Sequence, residues 1–331
     1  MPPLDRAVEI YKKDGFWRLL SRSATFLISK FEGGLSSRRR VESISIAFRP
    51  IFNNLYYLKH GNQSDVMSED WDTLILLDAC RYDDFERQHD LPGTLESRIS
   101  KGADSPEYIK ENFAGRELHD TVYVTANPHV QMLDENVFHA IIDKPLSNWD
   151  PKTKCVRPEE VTTAAIRAHE DYSNKRIIVH YMQPHDPPLG STGDEIREQF
   201  NLGGVHTTNQ SEEPRLFEAV ANGELDVEKA RSAYRETLDI VLDEVNKLLA
   251  EINGRIVVSA DHGEMFGEQP YPIIGKLYEH YRHPHTVELC KVPWLVIDQG
   301  SRRHTVSEPP TDTQSTSEED LKEKLEALGY K

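Results

Sequence analysis

The clearest pattern along the chain is a series of short, unbroken apolar runs separated by stretches of helical period. Thr73-Leu74-Ile75-Leu76-Leu77 is the first, and Thr121-Val122-Tyr123-Val124-Thr125, Ile177-Ile178-Val179, Arg255-Ile256-Val257-Val258-Ser259 and Trp294-Leu295-Val296-Ile297 follow. Runs of this length without polar alternation are expected of strands buried on both faces. Between the third and fourth lies the clearest helix, over 231–250. There Tyr234, Leu238, Val241, Leu242, Val245, Leu248 and Leu249 mark one face, and Asn253-Gly254 supplies a stop. Strands alternating with helices predict an α/β fold, a mostly parallel sheet flanked by helices on both faces.

The flanking segments read differently. Residues 1–65 form a helical N-terminal arm in this reading. Ala7, Ile10, Tyr11, Phe16, Trp17, Leu19 and Leu20 recur at roughly helical spacing, and Phe26-Leu27-Ile28 makes a second apolar patch. The α/β domain is expected over 66–300, with a surface insertion at about 186–226 that is rich in Gly, Pro, Asn, Glu and Thr. A polar, flexible linker begins near Asp298, and residues 301–331 carry it into a charged C-terminal helix with Leu321, Leu325 and Leu328 along one side.

Charge sharpens that division. The 331 residues hold 39 Lys+Arg and 56 Asp+Glu, a net of −17. That argues against nucleic acid as a partner, because phosphate binding needs a basic field. Residues 1–60, however, hold eleven basic and five acidic residues, a net of +6, which leaves −23 on the remaining 271. Two readings of the arm follow: a helix lying on an anionic membrane surface, or an arm packed on its own acidic body. The excess of carboxylates also fits a salt-adapted, halophilic protein. Cys80, Cys155 and Cys290 are too widely spaced for a disulfide framework or a cysteine zinc cluster. No apolar run approaches the ~20 residues of a membrane span, and the first residues lack a signal-peptide pattern. A cytoplasmic protein, peripheral to the membrane at most, is the expectation. Oligomeric state leaves no mark on the pattern.

The chemistry lies where the strands end. Leu77 is followed by Asp78, Val179 by His180, and Ala260 by Asp261-His262. Ligands of open α/β sheets bind at the carboxyl ends of the strands. A single Asp or His there is most often a cap or a turn residue, but three strand ends together point to a site. His185, His280, His283 and His285 fall in the same segments, and the bland reading for the last three is a solvated loop. Carboxylates and imidazoles suit a divalent cation. Two nucleophiles compete. Cys80 lies beside Arg81, which would favour a thiolate, yet it follows a buried strand and reads as a core cysteine. Ser105 precedes Pro106 and reads as a helix N-cap. The same helix start could present N–H groups to an anion.

These segments resemble a known family. Trp71-Asp72-Thr73-Leu74-Ile75-Leu76-Leu77-Asp78-Ala79-Cys80-Arg81-Tyr82-Asp83 resembles the opening motif of the sulfatase branch of the alkaline phosphatase superfamily. Ile256 to Glu268, with Ser259-Ala260-Asp261-His262-Gly263-Glu264, is similar to that family's Asp-His-Gly-Glu segment. His180-Tyr181-Met182-Gln183-Pro184-His185 resembles its substrate-contacting region, and Leu328-Gly329-Tyr330 resembles its endings. The likeness covers residues 70–330.

The resemblance implies an alkaline phosphatase/sulfatase-like fold and a metal-dependent hydrolase of phosphate or sulfate esters. Asp78, Ser105, Asp261 and His262 would hold one divalent metal ion, Zn, Mn, Mg or Ca. Ser105 would occupy the nucleophile position. Arg81 would lie near the substrate, while His180, His185 and His283 would contact the anionic ester or complete a second metal site. His185 or His283 would protonate the leaving group. Ser105-Pro106-Glu107-Tyr108 stands where formylglycine sulfatases carry Cys-x-Pro-Ser-Arg, so a serine mechanism replaces the oxidised cysteine. A phospho-group transferase acting on lipid or surface glycan is the first alternative. A non-catalytic binding protein on the same fold is the second.

Overall fold

The apolar runs pack side by side in one sheet because each has two faces to bury. The computed structural model describes residues 52–150, 152–153, 155–200, 215–270, 275–282 and 284–311. The arm over 1–51, the C-terminal helix expected beyond Ser317 and His283 all lie outside the described residues. A helix, α1 (52–60), comes first. In chain order the strands are β1 (Thr73–Leu77), β2 (Thr94–Ile99), β3 (Leu118–Thr125), β4 (Phe138–Ile142), β5 (Trp149–Asp150), β6 (Cys155–Val156), β7 (Arg176–Tyr181), β8 (Gly254–Ala260), β9 (Met265–Glu268), β10 (Leu277–Glu279) and β11 (Lys291–Gln299). Seven of them form the main sheet in the order β2-β11-β8-β1-β7-β3-β4, while β9 with β10 and β5 with β6 form two-stranded ribbons.

The sheet is mixed and mostly parallel, as expected. β1 pairs in parallel with β7 and β8, and β3 with β7 and β4. The exception is β11, antiparallel to both β8 and β2. Side chains alternate strictly between two cores. Ile75, Leu77, Ile177, Val179, Ile256 and Val258 face one side. There they meet Phe85 of α2 (Tyr82–Gln88), Val161 and Ala165 of α4 (Pro158–Asp171), and the Leu238–Leu249 stripe of α7 (Val227–Glu251). Leu74, Leu76, Ile178 and Val257 face the other side and meet Tyr108, Ile109 and Phe113 of α3 (Ser105–Phe113). Asp226 caps α7 by accepting from the Glu228 and Lys229 N–H groups. The chain leaves it through Gly254, whose φ of +116° suits a residue without Cβ.

Two segments differ from expectation. The stretch read as an insertion contains two helices, α5 (Gly190–Phe200) and α6 (Leu216–Ala221). The polar stretch after Asp298 is tied down rather than loose. β11 runs on to Gln299, and Arg302 then pairs with Asp70 and Asp72. The buried Lys175 ammonium holds the Val306 carbonyl and Glu308, and Thr311 N–H donates to the His139 carbonyl. A last helix, α8 (Val287–Cys290), leads into β11.

Candidate active site

Strand register alone brings the cluster together. Leu77 is level with Ala260 on one side and Tyr181 on the other, so the next residues, Asp78 and Asp261, emerge side by side with His180 beside them. Asp78, His180, Asp261, His262 and Ser105 are each at most 1 % exposed. One ligand atom each from Asp78, His180 and Asp261 lies within 4.8 Å of the other two.

Ser105 reaches this group because it does not cap its helix. Asp104 is the N-cap, its carboxylate accepting from Glu107 N–H at 2.7 Å, and Ser105 is the first helical residue. This corrects the N-cap reading, and it frees the hydroxyl. Ser105 Oγ donates to Asp261 Oδ2 at 2.7 Å and lies 3.2 Å from Asp78 Oδ2 and 3.3 Å from His262 Nε2.

Each neighbouring group is aimed by a partner of its own. His262 Nδ1 donates to the Gly263 carbonyl at 2.8 Å, which leaves the Nε2 lone pair facing the carboxylates. Burial lowers the His262 pKa, so the ring is neutral at pH 7. His180 Nδ1 meets the Tyr123 hydroxyl at 2.7 Å. Its Nε2 lies 3.5 Å from Asp261 Oδ2 without a hydrogen-bond partner. Asn127 Nδ2 donates to Asp78 Oδ2 at 2.8 Å, while Asp78 Oδ1 is buried without a hydrogen-bond partner. Asp261 Oδ1 accepts from the Ala79 and His262 N–H groups. Ala79 has a φ of 59°, a strained value for an L residue. Tyr234 holds that turn, donating to the Ala79 carbonyl and accepting from Arg81 N–H.

The donor set fits a divalent cation. Two carboxylates, a neutral imidazole with its lone pair turned inward and a second orphaned imidazole nitrogen converge with little hydrogen between them. Burial and the adjacent Asp261 push Asp78 well above the usual carboxylate range. Burial acts on Asp261 too, but His262, His180 and Ser105 outweigh it and hold its pKa low. A cation would let both carboxylates ionise.

Above the cluster runs a row of histidines. The His262 ring lies 4.7 Å from that of His280, and His280 lies 5.0 Å from His185. Burial opposes charge on His280, but Glu264, 3.3 Å away, outweighs it and the pKa is pushed up to about 9. His185 is driven the other way by burial and by His280, and its Nδ1 donates to the Asp186 carbonyl.

The sequence-derived residues thus divide. Asp78, Ser105, His180, Asp261 and His262 are brought together, with His185 in the row above. Arg81 is committed elsewhere. Its Nε and Nη2 hold Asp83, and its Nη1 holds Glu268 and the Glu264 carbonyl, so it braces the turns that carry the site. His285 is bonded to Glu107 at 3.1 Å and to the Tyr57 hydroxyl. Cys80 is fully buried and its thiol pKa is raised by that burial, as expected of a core cysteine. Asn127, Tyr123 and Glu264 were missed. Asn127 lies two residues past the end of β3, so the strand-end rule that found Asp78 applies to it as well. Pairing of Glu264 with His280 across the β9–β10 ribbon leaves no mark in the sequence.

No protein-family model and no curated protein matches the chain. Similar solved structures include the soluble domain of lipooligosaccharide phosphoethanolamine transferase A from Neisseria meningitidis. That likeness has 12 % identity over 68 % of this chain and 75 % of that one, with a TM-score of 0.45. Another is the C-terminal periplasmic domain of EptC from Escherichia coli in complex with Zn, with 14 % identity, 71 % and 75 % coverage and a TM-score of 0.42. A third is a 2-O GAG sulfatase, with 14 % identity, 78 % and 70 % coverage and a TM-score of 0.40. Solved structures similar to this chain thus include those of phosphoethanolamine transferases and sulfatases.

Proposed function

We propose that the chain is a metal-dependent enzyme that cleaves phosphate or sulfate esters through Ser105. The observation that carries this reading is the Ser105 hydroxyl, released from capping and set within 3.3 Å of Asp261, Asp78 and His262. Asp78, Asp261, His262 and His180 would hold one divalent cation, which when bound stabilises developing negative charge and acidifies the hydroxyl.

The chain's own groups account for the rest. Ser105 Oγ attacks phosphorus or sulfur, and its proton faces Asp261 Oδ2. As the new O–P or O–S bond forms, the bond to the ester oxygen breaks and its electron pair leaves with that oxygen. His280, cationic at neutral pH and with its side chain buried, stands over His262. It supplies a proton to the leaving oxygen and a positive charge to the anion, a role expected from sequence of His185 or His283. Attack by water on the covalent serine ester returns Ser105. Attack by an acceptor hydroxyl would make the enzyme a transferase with the same first half-reaction, and product analysis separates the two outcomes. A purely binding protein has no need of a serine hydroxyl aimed at two buried carboxylates.

Aryl phosphate monoesters, diesters and sulfates assayed with Zn, Mn, Mg and Ca test the reading. Turnover should need a metal and fall roughly 10³-fold or more in Ser105→Ala. Metal-independent turnover, or an unchanged rate in that variant, would overturn it.

A further inference from the structure

The segment between β10 and α8 reaches back to the start of α3, where Ser105 stands. Arg282 Nε donates to Asp104 Oδ2 at 3.1 Å, and His285 Nε2 lies 3.1 Å from Glu107 Oε2. Both of these carboxylates hold backbone beside the serine. Asp104 accepts from Glu107 N–H at 2.7 Å, and Glu107 Oε2 accepts from Ala103 N–H at 3.1 Å. The two acids thus clip Ala103 and Asp104, the residues before Ser105, onto the first turn of α3. Ser100 Oγ accepts from Gly102 N–H at 3.1 Å and donates to the Asp261 carbonyl, so the other end of this loop is tied to the cluster itself.

His285 is itself held from three sides. Asn53 Oδ1 of α1 accepts from its backbone N–H at 3.0 Å. A carboxylate only accepts, so Nε2 donates to Glu107, while Nδ1 meets the Tyr57 hydroxyl of α1. The ring is buried and stands edge-on to that of Tyr57. α1 is fixed in turn by Phe52 and Tyr56, which are buried with Ala103, Met265 and Leu289. We propose that His285 is a positioning residue for Ser105, acting through Glu107, with α1 as its anchor. The inference rests on Ser105 as the nucleophile. Removing the Nε2 donor takes from buried Glu107 a partner that bulk water cannot replace, so the carboxylate shifts. Ala103 N–H then loses its fixed acceptor, and Ser105 Oγ leaves its place beside Asp261. A displacement of about 1 Å at the attacking atom costs on the order of 10²-fold in rate.

Glutamine and asparagine separate the two ring nitrogens, because a Gln amide reaches the position of Nε2 and an Asn amide only that of Nδ1. His285→Asn should lower kcat on an aryl phosphate or sulfate roughly tenfold or more, with KM little changed. His285→Gln should recover most of that loss, although both variants lose the ring and should show a similar fall in Tm. Tyr57→Phe keeps the packing and removes only the anchoring hydroxyl, so kcat should fall by a few-fold. In a Glu107→Gln background, His285→Asn should cost no further rate, since the path is already cut. Hydrogen exchange reads the clip without turnover: peptides spanning residues 100–105 should exchange faster in His285→Asn than in His285→Gln or the unsubstituted chain. Unchanged kcat or unchanged exchange in His285→Asn, an equal loss in His285→Gln, or additive losses in the double variant would overturn the proposal. An unsubstituted chain without Ser105-dependent turnover would overturn the reaction instead, and the order of exchange would still decide whether His285 holds the loop.

Discussion

At the scale of single residues, the site is governed by which atoms are left without a hydrogen. Asn127 occupies one oxygen of Asp78 and leaves the other bare, so under the proposed function it would be a positioning residue for the metal. Asn127→Ala should weaken divalent-metal affinity roughly 10–100-fold, measured by competition with a fluorescent chelator. An unchanged affinity would remove Asn127 from that role. Asp78, His180 and Asp261-His262 were legible in sequence because each follows a buried apolar run, and parallel register carries such residues to one place. Ser105 was legible as a candidate nucleophile but not in its local role. Asp104 and Ser105 are both competent caps, and Pro106 is tolerated at either of the first two helical positions. Only the fold decides which one turns inward.

At the scale of elements, the turn after β8 allows the least change. A Cβ on Gly263 would lie 2.0 Å from the Glu288 carbonyl oxygen, which belongs to backbone. Gly263→Ala should therefore displace His262, lowering both metal affinity and Tm, whereas Gly115→Ala, in open space at positive φ, should lower only Tm. α4 offers a pH test remote from the site. His169 Nδ1 donates to the Ala165 carbonyl and Nε2 accepts from the Thr73 hydroxyl. Burial pushes its pKa down to about 4 from an ordinary 6.5. Between those values the unfolded chain binds more protons than the folded one, so this histidine makes stability fall as pH drops from 6.5 to 4. His169→Gln should flatten the Tm profile across that window, and an unaltered slope would contradict the assignment. Within the main sheet, the strands missed in sequence, β2 and β4, are the edges. β2, Thr-Leu-Glu-Ser-Arg-Ile, carries polar, half-exposed positions, and in β4 His139 interrupts the apolar run, so neither shows the unbroken apolar signal.

At the scale of the whole molecule, two cores on opposite faces of one sheet fix the strand ends, and residues 302–311 tie the sheet's far end. Lys175 is buried with the Val306 and His119 carbonyls and Glu308 as partners. Lys175→Ala should cost about 1–3 kcal/mol in urea unfolding, with catalytic constants unchanged. A combined loss of stability and rate would mean that the tie also shapes the site. This clasp could not be read from composition, since a polar stretch looks the same whether solvated or stapled. The antiparallel direction of β11 was equally hidden, because an apolar run does not encode its own direction. No helix among the described residues is long and apolar enough to cross a membrane.

The central claim is a covalent ester on Ser105. Incubating the metal-loaded chain with an aryl phosphate or sulfate, quenching in acid and mapping peptides by mass spectrometry tests it most directly. One phospho- or sulfo-group on the peptide bearing Ser105, absent from Ser105→Ala, is the predicted result. An adduct on another residue, or undiminished turnover by Ser105→Ala, would contradict it.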